Sequence, residues 1–158
     1  MIYVGIDPGL GGAVAVNLFD LNIMPVKLYD TPTLTIKKRD YDIQEMVSIL
    51  VKIRNTGQAH VGIEAVHAMP GQGVTSMFSF GRGLGLWEGI VAALGIPYTK
   101  VTPQAWKKLL LDGMPKEKDA SVVRAKQLFP AADITLKKHH GRADALLIAE
   151  YIRRTNRA

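Results

Sequence analysis

Apolar and polar residues alternate along the chain in a way that marks a mixed sheet wrapped by helices. Residues 2–6 form a short unbroken apolar run, as expected of a buried strand. Asp7-Pro8-Gly9 breaks it, and residues 13–18 read as a second strand. Asp20 and Asn22 suit a turn, and residues 23–29 read as a third strand with Pro25 near its edge. Two short turns joining three strands predict an antiparallel meander. Asp40 is placed to cap a helix over residues 41–54, whose Ile43, Met46, Val47, Leu50 and Val51 recur at helical spacing before Gly57 stops it. Residues 61–66 read as a fourth strand. A loop over 67–73 leads into a helix that ends at Leu94-Gly95. Residues 97–101 form a fifth strand. Thr102-Pro103 opens a short helix to Leu111, Asp112-Gly113 turns the chain, and further helices follow over 116–129 and 139–154. The order β-β-β-α-β-α-β-α-α-α predicts an α/β fold with a five-stranded mixed sheet flanked by helices. No repeat, low-complexity tract or linker divides it, so residues 1–158 are expected to be a single domain.

Composition adds little to the fold and something to the chemistry. The chain is 47% hydrophobic and 22% charged, with no apolar run near the roughly 20 residues that cross a bilayer, so no membrane partner is expected. Cysteine is absent, which excludes disulfides and thiolate metal sites and suits an intracellular protein. The net charge of +6 suits a polyanionic partner. Most of the basic residues lie beyond residue 99, among them Lys107, Lys108, Lys116, Lys118 and Arg142. They read equally well as a phosphate-binding surface or as the solvated faces of several helices.

Three carboxylates stand where carboxylates are costly. Asp7 ends a buried strand, and Gly9, Gly11 and Gly12 after it leave room for a backbone to approach; it also fits a simple Asp-Pro-Gly turn. Glu64 falls within an otherwise apolar strand, unusual for glutamate unless the strand is an edge with a solvated face. Asp144 lies near the start of a strongly apolar helix, where the helix dipole alone would favour it. His140 stands four residues earlier, and His139 is a weaker version of the same candidate. Convergence of the three acids would make a site for Mg²⁺ or Mn²⁺, cations that prefer carboxylate oxygens. Two such ions would clamp the attacking and leaving oxygens of a phosphodiester.

Taken in order, Asp7-Pro8-Gly9 after the first strand, Ile63-Glu64 in the fourth and Ala143-Asp144-Ala145-Leu146 in the last helix resemble the RuvC-type Holliday junction resolvases, which share the ribonuclease H-like fold. The resemblance covers almost the whole chain. The stretch from Glu64 to Phe78 looks most like the phage and chloroplast branches. The resemblance implies a homodimer that binds a four-way DNA junction and nicks it symmetrically with two Mg²⁺ or Mn²⁺ ions per site. The products would carry 5′-phosphate and 3′-hydroxyl ends. Asp7, Glu64 and Asp144 match the family's metal-binding carboxylates, and His140 the fourth position, at a spacing of four rather than the three of many bacterial members. One ion is assigned to Asp7 with Asp144, the other to Asp7 or Glu64 with His140. Lys107 and Lys118 match lysines near the scissile strand, with Lys108, Lys116 and Arg142 as further DNA contacts. His67, Met69 and, less directly, Phe78 would approach the junction centre. Phe78 and Phe80 are otherwise expected to pack in the core. Gly81, Gly85 and Gly89, four apart, would let two helices touch, at the dimer interface by resemblance or against the chain's own sheet. The implied location is cytoplasmic, that of the host for a phage-borne chain. A nuclease for other branched DNA or for RNA/DNA hybrids, and a junction binder without catalysis, remain alternatives on the same fold. A nucleotide-binding protein of the actin-like type would need paired domains for which 158 residues are too few.

Overall fold

The first strand, β1 (Ile2–Asp7), is the axis of the molecule. In this computed structural model, which describes residues 1–18 and 26–156, it pairs antiparallel with β2 (Ala13–Asn17), and β2 with β3 (Val26–Asp30). On its other side β1 runs parallel to β6 (Ala59–Glu64), and β6 to β7 (Tyr98–Val101). The sheet order β3-β2-β1-β6-β7 is the expected five-stranded mixed sheet with an antiparallel start. The turn proposed at Asp20 and Asn22, and the beginning of the third strand with Pro25, lie outside the described residues.

Helices cover both faces, as strand alternation requires. Val4, Ile6, Val14 and Val16 point toward α1 (Ile43–Thr56) and α2 (Val74–Ala93), where they meet Met46, Leu50, Trp87 and Val91. Tyr3, Ala13 and Ala15 point to the opposite face. There α3 (Pro103–Leu110), α4 (Ala120–Leu128) and α5 (His140–Thr155) supply Trp106, Ala125, Leu147 and Ile148. No helix among the described residues is long and apolar enough to cross a membrane.

Two glycines set the depth of α5. Gly5 of β1 and Gly62 of β6 are paired in register. Both face α5. A Cβ at Gly5 would overlap the Ala145 carbonyl oxygen and the Ala149 nitrogen, and one at Gly62 would strike Ile148 and Ile152. The helix therefore rests on bare backbone. Two residues further along each strand, on the same face by alternation, come Asp7 and Glu64.

Several elements differ from the pattern-based expectation. Thr33–Thr35 (β4) and Arg39–Tyr41 (β5) form a small antiparallel hairpin where no strand was expected. The hairpin claims Asp40, whose carboxylate accepts from the Tyr41 N–H, so the cap of α1 falls to Asp42, which accepts from the Glu45 N–H. The fourth strand ends at Glu64 rather than at Val66, leaving Glu64 at the strand's carboxyl end rather than inside it. The helix expected from Lys116 begins at Ala120, and a 3-10 turn, Lys137–His139, precedes α5.

Candidate active site

Asp7 and Glu64 stand side by side because β1 and β6 are parallel and in register up to Ile6 and Ile63. Adjacent strands lie about 4.8 Å apart. Both acids occupy the carboxyl ends of their strands, the edge at which open α/β sheets usually hold ligands. Asp144 approaches from above. It sits between Gly141, whose missing side chain lets the start of α5 press against Gly11 and Gly12, and Ala145, which rests on Gly5. Close packing of α5 at both points carries the Asp144 carboxyl down to the other two.

The three groups feel one another. The Asp7 carboxyl is pushed well above the ordinary carboxylate range, first by burial and then by repulsion from Asp144 and Glu64. Glu64 is raised by burial and by Asp144, with a hydrogen bond from Trp106 opposing. Asp144 is raised by burial, opposed by the Ser121 hydroxyl, Lys107 and His140. Lys107 is the one positive group that lowers all three. The Asp144 Oδ1 atom is buried without a hydrogen-bond partner. A cluster of acids that burial and mutual repulsion disfavour, with one oxygen unmatched, has the donor chemistry of a hard-cation site. Among the described residues no three His, Asp or Glu side chains are yet arranged to hold an ion as they stand.

Trp106 is a part of the site that reading the sequence missed. Its indole N–H donates to Glu64 Oε1 at 2.9 Å, and both residues are buried. The signal was present: Trp106 falls on the inward face of the short helix α3, and a buried indole needs an acceptor. Lys107 then lies with its ammonium 5.2 Å from the Trp106 ring centre. Trp106→Phe is expected to leave Glu64 Oε1 without its donor and to destabilise the fold by about 1–3 kcal/mol. That corresponds to about 2–4 °C in Tm per kcal/mol, read by scanning calorimetry. An unchanged Tm would mean the hydrogen bond contributes nothing.

From Asp144 a pocket of about 580 Å³ opens toward solvent, lined by His140, Lys107, Lys108, Lys116 and Lys118 together with Ser121. The segment 111–118 forms its outer wall in place of the expected first turn of α4. His140 Nε2 is 3.4 Å from Asp119 Oδ1. His139, in contrast, is buried, and its Nδ1 accepts from the Leu136 N–H, so the two histidines have separate surroundings. Arg142 points elsewhere. Its guanidinium grips Asp30 at 2.6 and 2.9 Å and also Asp133, which ties α5 to β3 and uses all three nitrogens. Arg142, expected among the DNA contacts, is thus held by two carboxylates. His67 and Met69 lie in the loop after Glu64, and both are exposed. Phe78 is 75% exposed, which overturns the core assignment, whereas Phe80 is half-buried and lies against Gly9. Gly81, Gly85 and Gly89 have open space where a side chain would stand; Gly83 is the glycine of α2 in close contact, beneath the Tyr41 ring.

Comparison with known proteins follows this geometry. No protein-family model matches the chain. Over 91 residues, 56% of its length, it is 36% identical to the chloroplastic Holliday junction resolvase MOC1 of Chlamydomonas reinhardtii, of which it spans about a tenth. A structure of Thermus thermophilus RuvC in complex with a Holliday junction substrate superposes with a TM-score of 0.66 at 14% identity, covering 98% of this chain and 96% of that one. A second Thermus thermophilus RuvC structure gives 0.59 at 15% identity, with 99% and 97% coverage. The resemblance drawn from the ordered motifs is therefore borne out: the chain has the fold of the RuvC structures, and more than half of it is similar in sequence to a chloroplast resolvase.

Proposed function

We propose that the chain is a metal-dependent Holliday junction resolvase that hydrolyses one phosphodiester in each of two opposed strands of a four-way DNA junction, leaving 5′-phosphate and 3′-hydroxyl ends. The observation that carries the reading is the grouping of Asp7, Glu64 and Asp144, the last of which lines a pocket bordered by four lysines. The choice of a four-way junction rests on the 36% identity with the chloroplast resolvase.

Asp7, Glu64, Asp144 and His140 would hold Mg²⁺ or Mn²⁺, two ions per site. The unmatched Asp144 Oδ1 and the disfavoured carboxyl charges fit that role. Bound there, the ions supply a water of lowered pKa and stabilise the leaving oxygen. The chain's own groups have distinct tasks. Asp7 is acted on by both other acids and would hold an ion together with Asp144. Trp106 fixes the Glu64 carboxylate, and Asp119 orients the His140 ring. Lys107, which acts on all three acids, offsets their charge and then meets the scissile phosphate. Lys108, Lys116 and Lys118 border the same pocket and hold the flanking phosphates, while His67 and Met69 face the junction centre. Arg142 is left out of this set because two carboxylates already occupy it.

The paired nicks need two copies. Gly81, Gly85 and Gly89 form a stripe along α2 with open space where side chains would stand, and we assign it to a homodimer contact. A four-way junction, a flap, a linear duplex and an RNA/DNA hybrid incubated in parallel with Mg²⁺ test the reading. Symmetric nicks in the junction alone are expected. Equal cutting of the flap or hybrid would replace the junction specificity with a broader nuclease activity. Tight junction binding with no cut in Mg²⁺ or Mn²⁺ would leave a binding protein only.

A further inference from the structure

We infer that the β4–β5 hairpin and the first turns of α2 form a second DNA-contacting groove, which holds the sugar-phosphate backbone of the duplex leading away from the cut. The inference rests on the reading of the chain as a junction nuclease and assigns a partner-binding role to residues outside the basic C-terminal half.

The groove is a trough of about 810 Å³. Lys38 and Arg39 line it from the hairpin, Ser76, Phe78 and Arg82 from α2, and Leu10 with Gly11 close it toward the site. Its charge is one-sided. Lys38, Arg39 and Arg82 face it, Lys37 stands exposed at the hairpin tip, and the single acid, Asp40, is already engaged by Arg82 and by the Tyr41 N–H. Among the described residues neither Lys37 nor Lys38 forms a salt bridge; both ammonium groups remain available to an anion. The opening turn of α2 adds backbone N–H groups that have no helical carbonyl behind them, next to the Ser76 hydroxyl.

The apolar groups in the trough suit a nucleic acid rather than a free ion. Phe78 is exposed on one wall, and beyond the lining residues Ile36, at the hairpin tip, is 87% exposed beside Lys37. Cationic side chains interleaved with exposed apolar ones match a polymer that presents phosphates and sugar or base faces together. The trough is also fixed relative to the carboxylates. Arg39 donates from one terminal nitrogen to the Leu10 carbonyl oxygen at 2.8 Å and from Nε to the Thr33 hydroxyl at 3.3 Å. This clips the hairpin to the turn that follows Asp7. A backbone seated in the trough is thereby held at a set distance from the cutting site.

Lys37→Ala combined with Lys38→Ala tests the inference, because both side chains are exposed and neither supports the core. Binding of a fluorescent four-way junction is measured by anisotropy from 50 to 200 mM salt, without divalent cations. The double variant is expected to bind roughly tenfold or more weakly. Each phosphate left without its lysine should flatten the slope of log Kd against log salt by about 0.9, so the pair should flatten it by about 1.8. Its melting temperature should match that of the wild type. Unchanged affinity and slope overturn the groove. So does a variant whose slope stays while its dimer dissociates in sedimentation, since the trough would then seat a second copy of the chain. A wild-type protein that fails to bind junctions at all would instead sink the nuclease reading.

Discussion

Asp7→Asn is expected to lower junction cleavage by about 10³-fold or more, since on the proposed reading it removes a metal ligand and with it several kcal/mol of transition-state stabilisation. Junction binding should survive. The same substitution is expected to raise the thermal stability of the metal-free protein by about 1–2 kcal/mol, the range in which relieving functional strain stabilises proteins. The cause is the burial and repulsion that hold the Asp7 carboxyl well above its ordinary range. The sign follows from linkage. A carboxyl raised in the folded state contributes stability that is fully present below its unfolded value of about 3.9 and is lost as pH rises through the folded value. Asparagine cannot ionise, so the variant escapes that loss. Its advantage in Tm over the wild type should be near zero at the acidic end and grow toward pH 8, measured in chelator. Added Mg²⁺ should raise the wild-type Tm and narrow the gap. An Asn variant that melts lower than wild type at pH 8 in chelator would mean Asp7 is not under electrostatic strain. Cleavage at wild-type rates would remove it from the mechanism.

Gly5→Ala is expected to destabilise the fold strongly for a one-carbon change. The added methyl would overlap the backbone of α5 at Ala145 and Ala149, and backbone within a packed helix cannot step aside as a side-chain tip can. A destabilisation of about 3 kcal/mol or more is expected, at about 2–4 °C in Tm per kcal/mol, read by scanning calorimetry. Gly62→Ala meets only the side chains of Ile148 and Ile152 and should cost less. Equal destabilisation in the two variants would contradict the backbone argument. Gly5→Ala should also lift Asp144 away from Asp7, so residual folded protein should cleave poorly even at temperatures where it remains folded.

Much of this was readable from residue order. Unbroken apolar runs marked β1 and β2, because strands buried on both faces have no polar side to show. The acids stood out because each sat against such a run. What the sequence hid was tertiary. The hairpin Thr33–Tyr41 is rich in charge and barely buried, so it has no hydrophobic period to detect. Its presence moved the α1 cap by two residues, since Asp40 and Asp42 are chemically alike and only Tyr41's burial beneath α2 tells them apart. The expected helix from Lys116 gave up its first turn to a segment that walls the pocket. Phe78 was misassigned because a phenylalanine on an amphipathic helix is usually inside, and here it is not. The Trp106 donor and the Arg142 clamp both depend on partners distant in sequence, Glu64 and Asp30, which no local pattern announces.

The assembly of the site from residues 7, 64 and 144 has a consequence for the newborn chain. Proteins are made from the N-terminus and fold largely in that order. β1 and β6 can pair while α5 is still within or near the ribosome, yet the third acid belongs to that last helix. A chain made only as far as β6 therefore carries two of the three carboxylates. On the proposed reading, the cation-binding set would be complete only once α5 rests on the bare backbone of Gly5, so a chain lacking that contact would be unable to cut.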